Sequence, residues 1–233
     1  MPDHPLADGF PDPLHALIDA GGPVAAILLG LSLIAVTIVL VKSWQFMRLR
    51  LARVGFVDAV IMHLRAGDLQ NADRLLAAER NPIARAMHAG LQTARQDAVR
   101  IDNIRDEVTR VAIGQLALLR TQLRSLELIA GLSPLLGLLG TVLGMIEAFR
   151  QLEAAGSRVD PAILSGGIWE ALTTTAVGIA VAIPTLAAHA WLEQRVERFR
   201  LLMEDALTRL FTQASPEHLR ADGSAAAETA QPR

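Results

Sequence analysis

The sequence predicts an all-α integral membrane protein with three transmembrane helices, the second and third extended into a helical cytoplasmic domain. Two observations carry this. Of 233 residues, 52% are hydrophobic and 20% charged, and the mean hydropathy is +0.34. So many charges permit a positive mean only if apolar and charged residues sit in separate blocks. Three stretches also run with little or no charge for long enough to cross a bilayer, which takes about 20 mostly apolar residues. The same figures exclude other classes. A disordered chain is less apolar, and a disulfide scaffold needs cysteine, of which there is none. A net charge of −2 lacks the positive excess of a nucleic-acid binder, so no nucleic-acid partner is expected.

Residues 1–23 form an N-terminal segment with Asp3, Asp8, Asp12 and Asp19 but no Lys or Arg. Without a basic start it does not read as a cleaved signal peptide, so the first span, 24–41, is expected as a retained anchor. Residues His15–Ile18 just ahead of it suit a short interfacial helix. Fourteen of the 22 basic residues fall between Lys42 and Arg124. That bias places the 42–127 domain in the cytoplasm, and with it a periplasmic N-terminus and a cytoplasmic C-terminus. A bacterial inner membrane is the expected location.

Within 42–127 the signals are helical. Gly67-Asp68 reads as a helix stop followed by an N-cap, and Asn81-Pro82 as an N-cap with Pro at the first helical position. Leu69, Ala72, Leu75 and Leu76 keep helical spacing between them. A stripe of Ile101, Ile104, Val108, Val111, Leu116, Leu119, Leu123 and Leu126 has near-heptad intervals. With no Pro or turn cluster after it, one helix is expected over 97–148, about 78 Å long. The second span is expected over 128–147, a periplasmic loop over 148–163 and the third span over 164–188. A cytoplasmic helix over 189–214 follows, its apolar stripe running Leu192, Val196, Phe199, Met203, Ala206, Leu210. Residues 215–233 have the composition of a disordered tail.

The second span reads SPLLGLLGTVLGM from Ser133. Gly137, Thr141, Gly144 and Ala148 form a small-residue ridge, and Gly140 with Gly144 makes a small-xxx-small pair. Such ridges let helices approach closely in lipid. The third span reads GGIWEALTTTAVGIAVAIP from Gly166, and Gly178 with Ala182 continues a ridge of this kind. Pro134 and Pro184 each remove a backbone donor, so a kink is expected near each. Glu170 is the one acid between Pro161 and Leu192. A carboxylate there is costly against lipid and should face the bundle interior or water. The alternative is an interfacial Glu at a helix N-terminus, held by the helix dipole. Thr174 shares a face with Glu170 at i and i+4, a plausible wet seam.

No enzyme chemistry emerges. The six histidines are scattered without metal-ligand spacing, there is no P-loop or dinucleotide glycine pattern, and Ser165-Gly166-Gly167 is no nucleophile elbow. No cofactor or metal is expected.

The topology and the two span motifs resemble the ExbB/TolQ proton-channel family, related to the flagellar stator protein MotA. The resemblance covers about residues 14–211, and the opening Ile-Asp-Ala-Gly-Gly-Pro resembles the ExbB branch. It implies a homopentamer in which the second and third spans line a pore holding a single-span ExbD- or TolR-like partner dimer. The partner supplies a membrane-embedded Asp, and proton flow passes work to a TonB- or TolA-like protein for transport across the outer membrane, of iron chelates or similar solutes in the TonB case. By motif position Thr141 matches the pore threonine of the second span, Glu170 the third-span acid and Thr175 the third-span threonine. Glu170 and Thr175 lie five residues apart, about 140° around a helix, so Thr174 stays the alternative on helical geometry. A TolQ-like role in the Tol-Pal envelope system and a non-conducting scaffold are the other readings.

Overall fold

The computed structural model describes residues 13–96, 101–155 and 161–213. The expectations for residues 1–12, for the start of a helix near 97 and for the tail over 215–233 lie outside the described residues. The described elements are seven helices: α1 Pro13–Arg48, α2 Phe56–Arg65, α3 Leu69–Ala78, α4 Pro82–Gln96, α5 Ile101–Arg120, α6 Leu123–Ala155 and α7 Pro161–Gln213. They sort into two compact units. One holds the chain up to Leu40 with Gln122–Ala190, the other Val41–Thr121 with the chain from Trp191. Three helical stretches are long and apolar enough to cross a membrane: Gly22–Arg48, Asp102–Ala154 and Leu164–Thr212.

In the first unit the usual polarity of a globular protein is inverted. Leu33, Leu40, Leu135, Leu138, Leu172 and Ile183 are exposed, while Ser133, Thr174 and Thr185 are buried. Leucine outside and hydroxyl or glycine inside suits a bilayer, where helices gain from close backbone packing rather than from hiding apolar area. Each buried hydroxyl is satisfied within its own helix: Ser133 Oγ donates to Ile129 O (2.7 Å), Thr174 Oγ1 to Glu170 O (2.9 Å) and Thr185 Oγ1 to Val181 O (2.7 Å). Helices α6 and α7 run as single elements through Pro134 and Pro184. The backbone is interrupted in α1, where Gly22 takes φ 59 and ψ −161 immediately before Pro23. That left-handed φ costs a residue with a Cβ about 1–2 kcal/mol, and Pro23 offers no N–H to continue the ladder. The segment expected as a loop over 148–163 is helical to Ala155 and again from Pro161.

The second unit is a helical domain with its own core. Gly67 has φ 73 and ends α2. Asp68 then caps α3, its carboxylate accepting from Asn71 N at 3.1 Å. Asn81 is 1% exposed. Its Oδ1 accepts from Ile83 N (2.9 Å) at the start of α4, and its Nδ2 donates to Arg50 O (3.3 Å) and Arg53 O (3.0 Å). One buried amide thus caps a helix and ties down the loop between α1 and α2. Val57, Val60, Leu64, Leu69, Ile83 and Met87 are buried, and so is the whole stripe Leu192, Val196, Phe199, Met203, Ala206, Leu210. Arg120 pairs with Glu197 at 3.3 Å and Arg209 with Asp58.

The single helix expected over 97–148 is corrected: α5 stops at Arg120 and α6 starts at Leu123, with Gln122 at φ 71. No Pro or Gly marks this break. Its cause is remote in sequence. Lys42, the chain's only lysine, is 2% exposed, and its Nζ donates to Leu118 O and Leu119 O, both at 3.2 Å. Those two carbonyls would accept from residues 122 and 123 in an unbroken helix. An ammonium at a helix C-terminus is favoured by the dipole as well.

Candidate functional site

The motif residues of the second and third spans meet in an antiparallel seam inside the first unit. Contact follows Ser133, Gly137, Gly140, Gly144 and Ala148 on α6, a register of 4, 3, 4 and 4. Opposite them on α7 lie Gly178, Thr175, Thr174, Ala171 and Gly167. A Cβ at Gly178 would stand 2.6 Å from Ser133 O. One at Gly137 would stand 3.1 Å from Thr175 Cα, and one at Gly140 2.2 Å from Thr174 Cγ2. At Gly167 it would meet Ala148 Cβ at 2.4 Å. Glycine is required here by proximity, not by backbone conformation.

The threonines divide the work. Thr174, 1% exposed, fills the notch left by Gly140, and its hydroxyl bonds back to the carbonyl of Glu170. Thr175 Oγ1 crosses the seam and donates to Gly137 O at 3.0 Å. Both sequence candidates therefore lie between α6 and α7 of one chain, with hydroxyls on backbone carbonyls. Thr141 stands one position round α6 from Gly140, half-buried, its hydroxyl donating to Leu138 O at 2.6 Å. Gly140, which the sequence pairs with Gly144, packs directly against Thr174.

Glu170 is half-buried, one residue from Ala171 in the seam. Its Oε1 would lie 3.1 Å from a Cβ at Gly22. The carboxylate of the third span thus rests against the break in α1, a pairing that spacing within one span does not reveal. The Gly21-Gly22-Pro23 run was the available signal, since a Pro after two glycines inside an apolar helix marks a place where backbone can be approached. Among the described residues no group of three or more His, Cys, Asp or Glu could hold a metal ion. What this arrangement offers chemically is one carboxylate, able to take up and release a proton, beside a tightly packed helix pair.

Fold and seam together define a three-span helical membrane protein whose third span carries the acid Glu170. The sequence matches the MotA/TolQ/ExbB proton channel family over residues 78–205, more than half of the chain. It is 30% identical over 187 residues to the putative biopolymer transport protein ExbB-like 3 of Synechocystis sp., covering 79% of this chain and 88% of that one. It is 38% identical over 109 residues to biopolymer transport protein exbB1 of Vibrio cholerae, covering 47% and 48%. Over 71 residues it is 41% identical to the Tol-Pal system protein TolQ of Haemophilus influenzae, covering 30% and 31%. The chain belongs to the MotA/TolQ/ExbB proton channel family. It spans about half the length of the Vibrio cholerae relative.

Proposed function

We propose that the chain is the ExbB-like subunit of an inner-membrane motor, coupling the proton-motive force through a single-span ExbD-like partner and a TonB-like protein to import across an outer membrane. The observation that carries this is Glu170, one acid in an apolar span, half-buried against Gly22 beside the α6–α7 seam. Thr141, half-buried on α6, faces a neighbouring subunit or the partner helix in this reading. The Thr174–Thr175 pair holds α6 and α7 at a fixed separation behind it. The reading takes the chain as a homopentamer with N-termini in the periplasm, an orientation supported by the basic residues between Lys42 and Arg124.

The spans offer few protonatable groups besides Glu170, and in this reading the partner's carboxylate supplies the second protonation site. Each proton crossing 100 mV releases about 2.3 kcal/mol, enough to bias a small rigid-body rotation. Proton-motive-force-dependent uptake of iron chelates tests the reading. Cells carrying Glu170→Ala with normal assembly should lose uptake; normal uptake in that strain contradicts the pore role. A TolQ-like role is the second reading, favoured by the match to the Haemophilus influenzae protein. It predicts normal uptake but leaky envelopes in a strain lacking the chain.

A further inference from the structure

The second unit contains a cavity of about 540 Å³ between the end of α1, the loop leading to α2, and α7. Its wall combines two chemistries. Arg50, Arg53, Arg195 and Arg198 are among the residues that line it, and all four are exposed. Among the described residues none of the four has a carboxylate partner. By contrast Arg200, two positions from Arg198, pairs with Glu197 at 2.7 Å and also with Glu204. Arg195 lies instead over the Trp191 ring, 5.0 Å from its centroid. The rest of the wall is apolar. Phe46 and Phe199 are buried, while Met47 and Leu202 are open to the outside.

The loop that carries two of these arginines is built rather than slack. Arg50 adopts φ 49, a left-handed conformation uncommon for a residue with a Cβ. Asn81 Nδ2 holds the carbonyls of Arg50 and Arg53, and Arg53 N donates to Arg50 O at 2.8 Å. The cavity also has a definite address. Ser43–Met47 continue α1 directly from the first apolar span, and Trp191–Leu202 continue α7 directly from the third. Trp44 and Trp191 are both exposed there, as tryptophans are at a membrane–water boundary.

We propose that this cavity seats the headgroup of an anionic phospholipid, with Arg50, Arg53 and Arg198 on the phosphodiester and the acyl chains along Met47, Trp191 and Leu202. Unpaired guanidinium groups match phosphate oxygens in charge and in bidentate geometry. Basic pockets beside transmembrane helices at this depth take such headgroups. A lipid fits better than a soluble anion because the apolar half of the wall opens where the span ends.

Trp191 reports on the site directly. The full-length chain carrying Trp44→Phe and Trp169→Phe keeps Trp191 as its one tryptophan and can be reconstituted into vesicles of phosphatidylcholine with brominated lipid added. Brominated phosphatidylglycerol should quench Trp191 more strongly than brominated phosphatidylcholine. The preference should fall about fivefold for each arginine removed in Arg53→Gln and Arg198→Gln, and should persist in Arg74→Gln, on α3 away from the cavity. Circular dichroism confirms that each variant keeps its helices. Equal quenching by the two lipids overturns the proposal, as does a preference that survives both cavity variants or falls equally in Arg74→Gln. Loss of the preference on adding glycerol 3-phosphate would make the cavity a soluble-anion site. Cross-linking of two chains through Arg198, with no lipid preference, would make it a contact between copies. Either result also overturns the lipid assignment.

Discussion

Thr174 occupies the space that a side chain at Gly140 would need: a Cβ there would stand 2.2 Å from Thr174 Cγ2 and 2.8 Å from its Cβ. Thr174 is β-branched and its hydroxyl is tied to Glu170 O, so it cannot swing away cheaply. Gly140→Ala should therefore destabilise the folded chain in detergent by about 1–3 kcal/mol. Adding Thr174→Ser, which deletes the nearest methyl, should recover part of that loss. Gly30→Ala, with nothing within 4 Å of its Cβ, should leave the melting temperature unchanged.

Thr175 Oγ1 crosses from α7 to α6, at 3.0 Å from Gly137 O. Hydrogen bonds between transmembrane helices contribute about 0.6–1.7 kcal/mol. Thr175→Val, which keeps the shape, should cost about 1 kcal/mol in thermal unfolding, and Thr175→Ser should retain most of the wild-type value. An unchanged melting temperature in Thr175→Val would place the stability of the seam in glycine packing alone.

Lys42 closes the C-terminal end of α5 through two carbonyls. Lys42→Ala relieves the burial of an ammonium, but it orphans both acceptors and removes the packing of the four-carbon stem. The losses exceed the relief, and a net destabilisation of about 1–3 kcal/mol is expected. Hydrogen exchange should show protection falling first at residues near Gln122.

The Asp68 carboxylate is held below the ordinary carboxylate range, chiefly by its bonds from the Asn71 side chain and backbone N–H, with His63 adding to them. The folded chain thus favours the ionised form more than the unfolded chain does. This contribution is fully present above the ordinary carboxylate value, about 4, and is lost as pH falls through the lowered folded value. Asp68→Asn should melt below wild type at pH 7, and the gap should close in acid. A gap that stays constant with pH would assign the effect to shape rather than charge.

The chain's helical character and its three spans follow from hydropathy alone, because bilayer thickness sets a length that composition reveals directly. The reach of Asn81 to Arg50 and Arg53 is long-range, but both cap sites were legible, because Gly67, Asp68 and Asn81 each act on the helix beside them. The α5–α6 break was not, because its cause, Lys42, lies far away in sequence. The small-residue pattern admits both Gly140 and Thr141, and the close approach of Thr174 to Gly140 depends on the α7 surface, which spacing within α6 does not specify. Glu170 is the lone acid between Pro161 and Leu192 in the sequence itself. Its neighbour Gly22 belongs to another helix, and no spacing rule within one span connects them.

The most direct test is proton flux through vesicles that hold the full-length chain with the ExbD-like partner proposed for it, under an imposed potential, with assembly checked by mass. Glu170→Gln keeps size and hydrogen bonding but cannot ionise. Most of the flux should disappear in that variant, while Glu153→Gln, an exposed position at the end of α6, should conduct like the wild type. Undiminished flux in a fully assembled Glu170→Gln complex would contradict the assignment of Glu170 to the proton path.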